Sequence, residues 1–318
     1  MSFATDIKSE ITKLDSNHTE YIAELSAFIR NNAYIGNNII KIHTENAAVA
    51  RRIFKIIKDI YHIYCQVTVR SNFNFKKNFI YLLEIKGNCD SFLEDLSIKN
   101  RDGYFINIPR DYIISDDEEK RAYLRGIFLA CGSVNNPKTS RYHLELLIDD
   151  NEYADFINNI LNEYNLNSRV IKRVRGYMVY IKEAEKISDF LRLIKAYKGV
   201  LYYENIRIYR NQKNITNRLN NCEQANVERM INTALKQIAD INLIKKNISL
   251  EILNDKLRIA AIYRLKYPET SLSELSNIIT EKEGQVITKS GLNHRFRKIK
   301  ILADNIREKE EKGVYNNE

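Results

Sequence analysis

Apolar residues recur at helical spacing in HTEYIAELSAFIRNN (18–32), at Ile22, Leu25, Phe28 and Ile29, which predicts an amphipathic helix. The period then shortens. AYI (33–35) and IIKIHT (39–44) flank a Gly-Asn-Asn turn and predict two strands. ENAAVARRIFKIIKDIY (45–61) returns to helical spacing, CQVTVR (65–70) and FIYLLEIK (79–86) predict two more strands, and DSFLEDL (90–96) a short helix. The same order then comes round again. DDEEKRAYLRGIFLACG (116–132) opens with four acids, which suit the positive end of a helix dipole. SV (133–134), a turn at Asn135–Pro137 and the strand YHLELLID (142–149) follow. A helix over 151–164, strands SRVIKRV (168–174) and YMVYIK (177–182), and a helix over 183–197 complete the second copy. Both copies run helix–strand–strand–helix–strand–strand–helix, and a charged amphipathic helix in MSFATDIKSEITKLD precedes them.

One such unit leaves a face of its sheet uncovered, whereas two can share a core by packing their first helices together. Close helix approach needs small side chains, which Gly126, Ala130 and Gly132 supply in one copy and Ala23, Ala27 and Ala33 in the other. The two sheets are then expected side by side as a saddle.

Residues 206–226 are polar and Asn-rich and read as a linker, after which the pattern is wholly helical. VERMINTALKQIADINLI (227–244) and KLRIAAIYRLKYP (256–268) predict helices, the second ended by Pro268. Ser271 and Glu274 form a capping box ahead of LSELSNII (272–279), and a connection over 280–287 leads to a last helix over 288–312. The predicted fold class is therefore α+β. A duplicated αββαββα scaffold has halves at 1–115 and 116–210, followed by a linker at 211–226 and an all-α helix-turn-helix domain at 227–312.

Composition excludes several classes. Of 318 residues 44% are hydrophobic with only 10 Gly and 3 Pro, as in a folded, largely helical protein. No run of about 18 apolar residues predicts a membrane span, and the first residues have no signal-peptide core. Cys65, Cys89, Cys131 and Cys222 are far apart and form no CxxC pair, which points to reduced thiols in a cytoplasm. The histidines at 18, 43, 62, 143 and 294 show no ligand spacing, and Asp149-Asp150 reads as a helix-capping pair. Neither a metal nor a cofactor is expected.

The formal charge of +9 gains meaning when divided along the chain. Residues 169–221 hold 13 basic and 4 acidic side chains, whereas residues 116–168 hold 5 and 10. A concentrated positive field suits a polyanion, because each neutralised phosphate releases condensed counterions. Lys172, Arg173 and Arg175 lie on or beside the hairpin of SRVIKRVRGYMVYIK, and alternation puts Lys172 and Arg173 on opposite faces. Two readings stay open here, a DNA-contacting hairpin and a solvated edge hairpin.

The last helix carries a sharper signal. Leu292, Phe296, Ile299, Ala303 and Ile306 share one side, and at about 100° per residue the other presents Ser290, His294 and Arg297, flanked by Asn293 and Lys298. Arg and Asn read guanine and adenine edges bidentately, while Lys289 and Ser290 at the helix start suit phosphate. A capped helix, a turn and a basic outward-facing helix describe a helix-turn-helix with an unusually long turn.

LRGIFLACG (124–132) resembles the LAGLIDADG motif of homing endonucleases, and LSAFIRNNA (25–33) resembles a degenerate second copy. Enzymes of that fold lay paired sheets in the DNA major groove and place one metal-holding acid at the base of each motif helix. Those positions fall here on Cys131 and Asn32. Neither a thiol nor an amide supplies the anionic oxygen that a hard cation requires, so no catalytic residue is expected.

TKSGLNHRFRK (288–298) resembles the C-terminal motif of the WhiA family, which joins a degenerate LAGLIDADG scaffold to a helix-turn-helix in this order. The resemblance implies a cytoplasmic, nucleoid-associated regulator of Gram-positive bacteria. It would bind double-stranded DNA and be linked to cell division, chromosome segregation and, in some lineages, sporulation. A protein co-regulator or RNA polymerase is an expected partner; a small-molecule substrate is not. Two alternatives remain beside it: a nucleoid-associated protein whose scaffold docks proteins, and an active homing endonuclease.

Overall fold

The computed structural model describes residues 2–36, 38–71, 79–87, 89–139 and 141–314; Asn37 of the expected Gly-Asn-Asn turn lies outside them. The chain divides into two compact units, residues 1–211 and 212–318.

The first unit contains the expected repeat. One half comprises α2 (His18–Asn32), β1 (Ala33–Gly36), β2 (Ile39–Thr44), α3 (Ala47–Tyr61), β3 (Cys65–Ser71), β4 (Phe79–Lys86) and α4 (Asp90–Asp95), preceded by α1 (Phe3–Ile11). The other comprises α5 (Asp117–Cys131), β5 (Gly132–Val134), β6 (Leu144–Ile148), α6 (Asn151–Glu163), β7 (Arg169–Lys172), β8 (Tyr177–Ile181) and α7 (Ala184–Leu193). Each half folds one antiparallel sheet, in the orders β1-β2-β4-β3 and β5-β6-β8-β7. Alternation decides the faces: Ile40, Ile42, Leu83 and Ile85 in one sheet, and Leu144, Leu146, Val179 and Ile181 in the other, point into one continuous core.

Caps fix where the helices begin. Asn17 accepts from the Glu20 amide at 2.8 Å, Asp116 and Glu119 form a reciprocal capping box, and Asp150 accepts from the Tyr153 amide at 2.8 Å. Asp150 thus caps α6 as expected.

The halves meet where α2 crosses α5. A Cβ on Gly126 would stand 2.2 Å from the Glu24 carbonyl oxygen and 2.9 Å from the Ala27 Cβ, so only glycine permits this approach. The crossing also buries charge, which hydrophobic periodicity could not reveal. Glu24, without exposed surface, accepts from Arg125 Nε at 2.7 Å and from both Nε and Nη2 of Arg52. Burial works to raise the Glu24 carboxyl, but hydrogen bonds and positive charge from Arg52 and Arg125 outweigh it and hold the group below its ordinary range.

The connection between the halves is pinned by α2 as well. Arg30 donates to the Ser97 carbonyl at 2.6 Å, to Asn107 at 3.0 Å and to Ile106, and Ser26 donates to the Leu96 carbonyl at 2.7 Å.

The stretch 211–226, read as a linker, is helical throughout. It lies within α8 (Tyr197–Asn247), a single helix whose residues fall in both units. Between Gly199 and Pro268 there is no glycine or proline to stop it, and each Asn costs under about 0.7 kcal/mol relative to alanine. Glu10 of α1 caps its start, accepting from the Lys198 and Gly199 amides at 2.7 and 2.9 Å. The second unit adds α9 (Asp255–Lys266), α10 (Leu272–Glu283) and α11 (Lys289–Val314) around a core of Ile241, Ile244, Leu257, Leu275, Ile279, Leu292, Phe296 and Ile299.

Candidate nucleic-acid interface

In the second unit Ser271 and Glu274 close the expected capping box at 2.8 and 3.1 Å and start α10. The helix runs past the expected stop at residue 279 to Glu283, because Thr280–Glu283 continues the turn and Thr280 Oγ1 donates back to the Ser276 carbonyl at 2.8 Å. Gly284 ends it with φ +69°, a left-handed conformation that favours glycine. The turn is therefore Gly284–Thr288, shorter than the sequence suggested. Its far side is closed by the Ile287 amide, which donates to Thr280 Oγ1 at 3.0 Å, and Thr288 Oγ1 accepts from the Gly291 amide at 3.1 Å to start α11.

Leu292, Phe296, Ile299, Ala303 and Ile306 are buried, so α11 is oriented as its periodicity predicts. Lys289, Ser290, His294, Arg297 and Lys298 are exposed on its remaining surface, and Asn293 is half-buried at one edge. None of Lys289, Arg297 and Lys298 has an ion pair among the described residues. Arg264, missed by the sequence reading, sits beneath this surface with 1% exposure. It donates to the Thr270 carbonyl at 2.7 Å and holds its guanidinium 5.5 Å from the Phe296 ring centre, joining α9, the turn before α10 and α11. Its signal was indistinguishable from an ordinary exposed helix cation.

In the first unit the β7–β8 hairpin closes where the Arg173 amide donates to the Gly176 carbonyl at 2.9 Å. Gly176 has φ +72°, and a Cβ there would stand 2.4 Å from the Ile148 carbonyl oxygen. Lys172, Arg173 and Arg175 are all exposed. Register puts Lys172 opposite Tyr177 and Val170 opposite Val179 on the core-facing side, while Arg169 and Ile171 pair with Tyr180 and Met178 on the open side. Arg173 continues the open side, with Nη2 3.4 Å from Met178 Sδ. Lys172 and Arg173 therefore fall on opposite sides of the hairpin.

Asn32 and Cys131 occupy the last positions of α2 and α5. The Asn32 amide oxygen is buried without a hydrogen-bond partner, and Cys131 Sγ lies 3.5 Å from the Ile127 carbonyl. Burial pushes the Cys131 thiol up to about 12, so it is neutral near pH 7, and its charged neighbours are Lys8 of α1 and Asp149. Neither motif position supplies an anionic oxygen, since Asn32 presents an amide and Cys131 an uncharged thiol, and the carboxylate beside Cys131 belongs to Asp149. No three His, Cys, Asp or Glu side chains among the described residues are grouped to hold a metal.

Known proteins share this arrangement. The model of the WhiA N-terminal LAGLIDADG-like domain matches residues 18–99, that of the WhiA LAGLIDADG-like domain matches 120–213, and that of the WhiA C-terminal HTH domain matches 216–303. The chain belongs to the WhiA family. The probable cell division protein WhiA of Staphylococcus aureus (strain Newman) is 43% identical over 315 residues, which cover 98% of this chain and 99% of that protein. Full-length WhiA from Thermatoga maritima is similar with a TM-score of 0.59 at 26% identity, over 96% of this chain and 99% of that one. A structure of the N-terminal LAGLIDADG domain of WhiA shares the fold over 61% of this chain and 90% of its own length, with a TM-score of 0.50 and 24% identity. Among the described residues no helix is long and apolar enough to cross a membrane.

Proposed function

We propose that this WhiA-family chain is a non-catalytic, sequence-preferring DNA-binding regulator of transcription that serves cell division. Chromosome segregation and, in spore-forming lineages, sporulation are within its reach, and it works on the nucleoid in the cytoplasm. The observation that carries the reading is the outer surface of α11, where Ser290, His294, Arg297 and Lys298 stand exposed on a capped helix-turn-helix. In this reading Asn293, His294 and Arg297 meet base edges in the major groove, and Lys289 and Ser290 take phosphates at the helix start. The name of the Staphylococcus relative supports the process, and Asn32 and Cys131 support the absence of cleavage.

Selection of duplexes from a random pool by the full-length chain tests this directly. Enrichment of a defined motif is expected, and Arg297→Ala should lose the preference at one base position of that motif. Equal retention of all sequences by the unmodified chain would overturn the reading.

A second reading concerns only the first unit, as a dock for a protein co-regulator or RNA polymerase. Tyr34, Leu147 and Ile171, exposed apolar residues on the sheets, favour it.

A further inference from the structure

The second unit contains a groove of about 420 Å³ between the C-terminal part of α8 and α11. Lys236 and Gln237 of α8 line one wall, and Asn293, Arg297 and Lys300 of α11 line the other. On α11 these three share a stripe at helical spacing, so one flank of the surface read above as base-contacting continues into the groove.

The charges in it are unequal in status. Asp240 is paired with Arg307, whose Nη2 lies 2.5 Å from its carboxylate, and Arg307 also meets Asp304 at 2.6 Å. Lys236, Arg297 and Lys300 are exposed and have no ion pair among the described residues. Three free cations thus face a groove whose acid is already neutralised. Gln237, 8% exposed, presents a carboxamide oxygen with no hydrogen-bond partner. A buried acceptor left so is unfavourable, and a water or a ligand that donates to it relieves that cost.

We infer that this groove binds the phosphate backbone of the DNA strand that borders α11, with Lys236 and Lys300 meeting the phosphates. This inference rests on the proposed reading of α11 as the element that enters the major groove. The major groove is about 12 Å wide and admits a single helix, so the flanks of an inserted helix face the two phosphate ridges. Arg297 stands at the lip, shared between bases and backbone. Lys300, one turn further, and Lys236 from the opposite wall lie where the ridge passes, and a water on a phosphate oxygen can donate to Gln237 as well. The C-terminal part of α8 is then part of the DNA interface and not only a support for the helix-turn-helix.

The test compares duplex binding by the full-length chain as a function of salt, on a selected and a scrambled duplex. Lys236→Gln with Lys300→Gln should weaken both equally and reduce the magnitude of the log–log salt slope by up to about 2, one for each phosphate no longer neutralised. Lys236→Arg with Lys300→Arg should restore the slope. Lys245→Gln with Lys246→Gln removes the same charge from exposed positions on α8 outside the groove and should leave the slope unchanged. If the groove pair behaves like that control pair while Arg297→Ala still impairs binding, the groove is not a backbone site and the reading of α11 stands. If the unmodified chain retains no duplex at all, the reading of α11 falls and the groove assignment falls with it.

Discussion

The carboxylate of Glu24 and the guanidinium of Arg125, 101 positions apart in the chain, meet at 2.7 Å with neither side chain exposed. One comes from each half of the repeat, so the pair joins the halves through the crossing of α2 and α5. Arg52 completes the arrangement by binding the same carboxylate. A buried pair of this kind stabilises little over apolar side chains, but removing one member strands the others. Glu24→Gln should therefore destabilise the chain by about 3–5 kcal/mol near neutral pH, measured by denaturant unfolding.

The same group has a pH signature. Its carboxyl is held below the ordinary value of 4.5, so its contribution is fully present above pH 4.5 and is lost as pH falls through the lowered value. Unfolding curves taken from pH 6 down to about 3 should show a steeper loss of stability in the unmodified chain than in Glu24→Gln. Parallel curves would remove Glu24 from the acid response.

Gly126 tests the geometry of the crossing. Gly126→Ala places a methyl carbon 2.2 Å from a backbone oxygen that no rotamer change can move aside. A loss of about 1–3 kcal/mol is expected, and more for Gly126→Leu. Thermal melts of the two variants provide the check; unchanged midpoints would contradict the close approach.

In the hairpin the register separates two neighbours. If the open face of β7–β8 meets DNA, Arg173→Gln should reduce the salt slope by about 0.9 and Lys172→Gln should leave it unchanged. Equal effects would point to a diffuse field around the hairpin, and no effect from either would favour a protein dock.

At the ends of α2 and α5, Asn32 and Cys131 lead to a negative expectation for chemistry. Supercoiled plasmid incubated with the chain and magnesium should stay intact. Nicking that EDTA abolishes, and that disappears on replacing a nearby carboxylate such as Asp149, would restore the endonuclease reading.

On α11, Arg297→Ala should cost about 1–3 kcal/mol and relax preference at one base position, whereas Lys289→Ala should weaken selected and scrambled duplexes alike. Competition between the two duplexes measures both. Equal weakening with Arg297→Ala would place Arg297 on the backbone.

The order of elements, the core stripe of α11 and the glycine at the helix crossing were all legible in the residues alone. Each depends on a short-range rule: period two or 3.6, a cap three residues away, a side chain too small to be accidental. Nothing in the string of residues put Glu24, Arg52 and Arg125 in the core, because charged residues on a helix look solvent-facing until their partners arrive from distant segments. Nor did it show α8 continuing through residues 211–226, where polarity resembles a linker but no breaker interrupts the helix. Arg264 beneath Phe296, and the groove between Lys236 and Lys300, likewise required the fold, since both consist of residues brought together from separate helices. Local pattern fixes what each segment becomes, and only the packed chain decides which polar side chains are buried, because burial depends on what the rest of the molecule places against them.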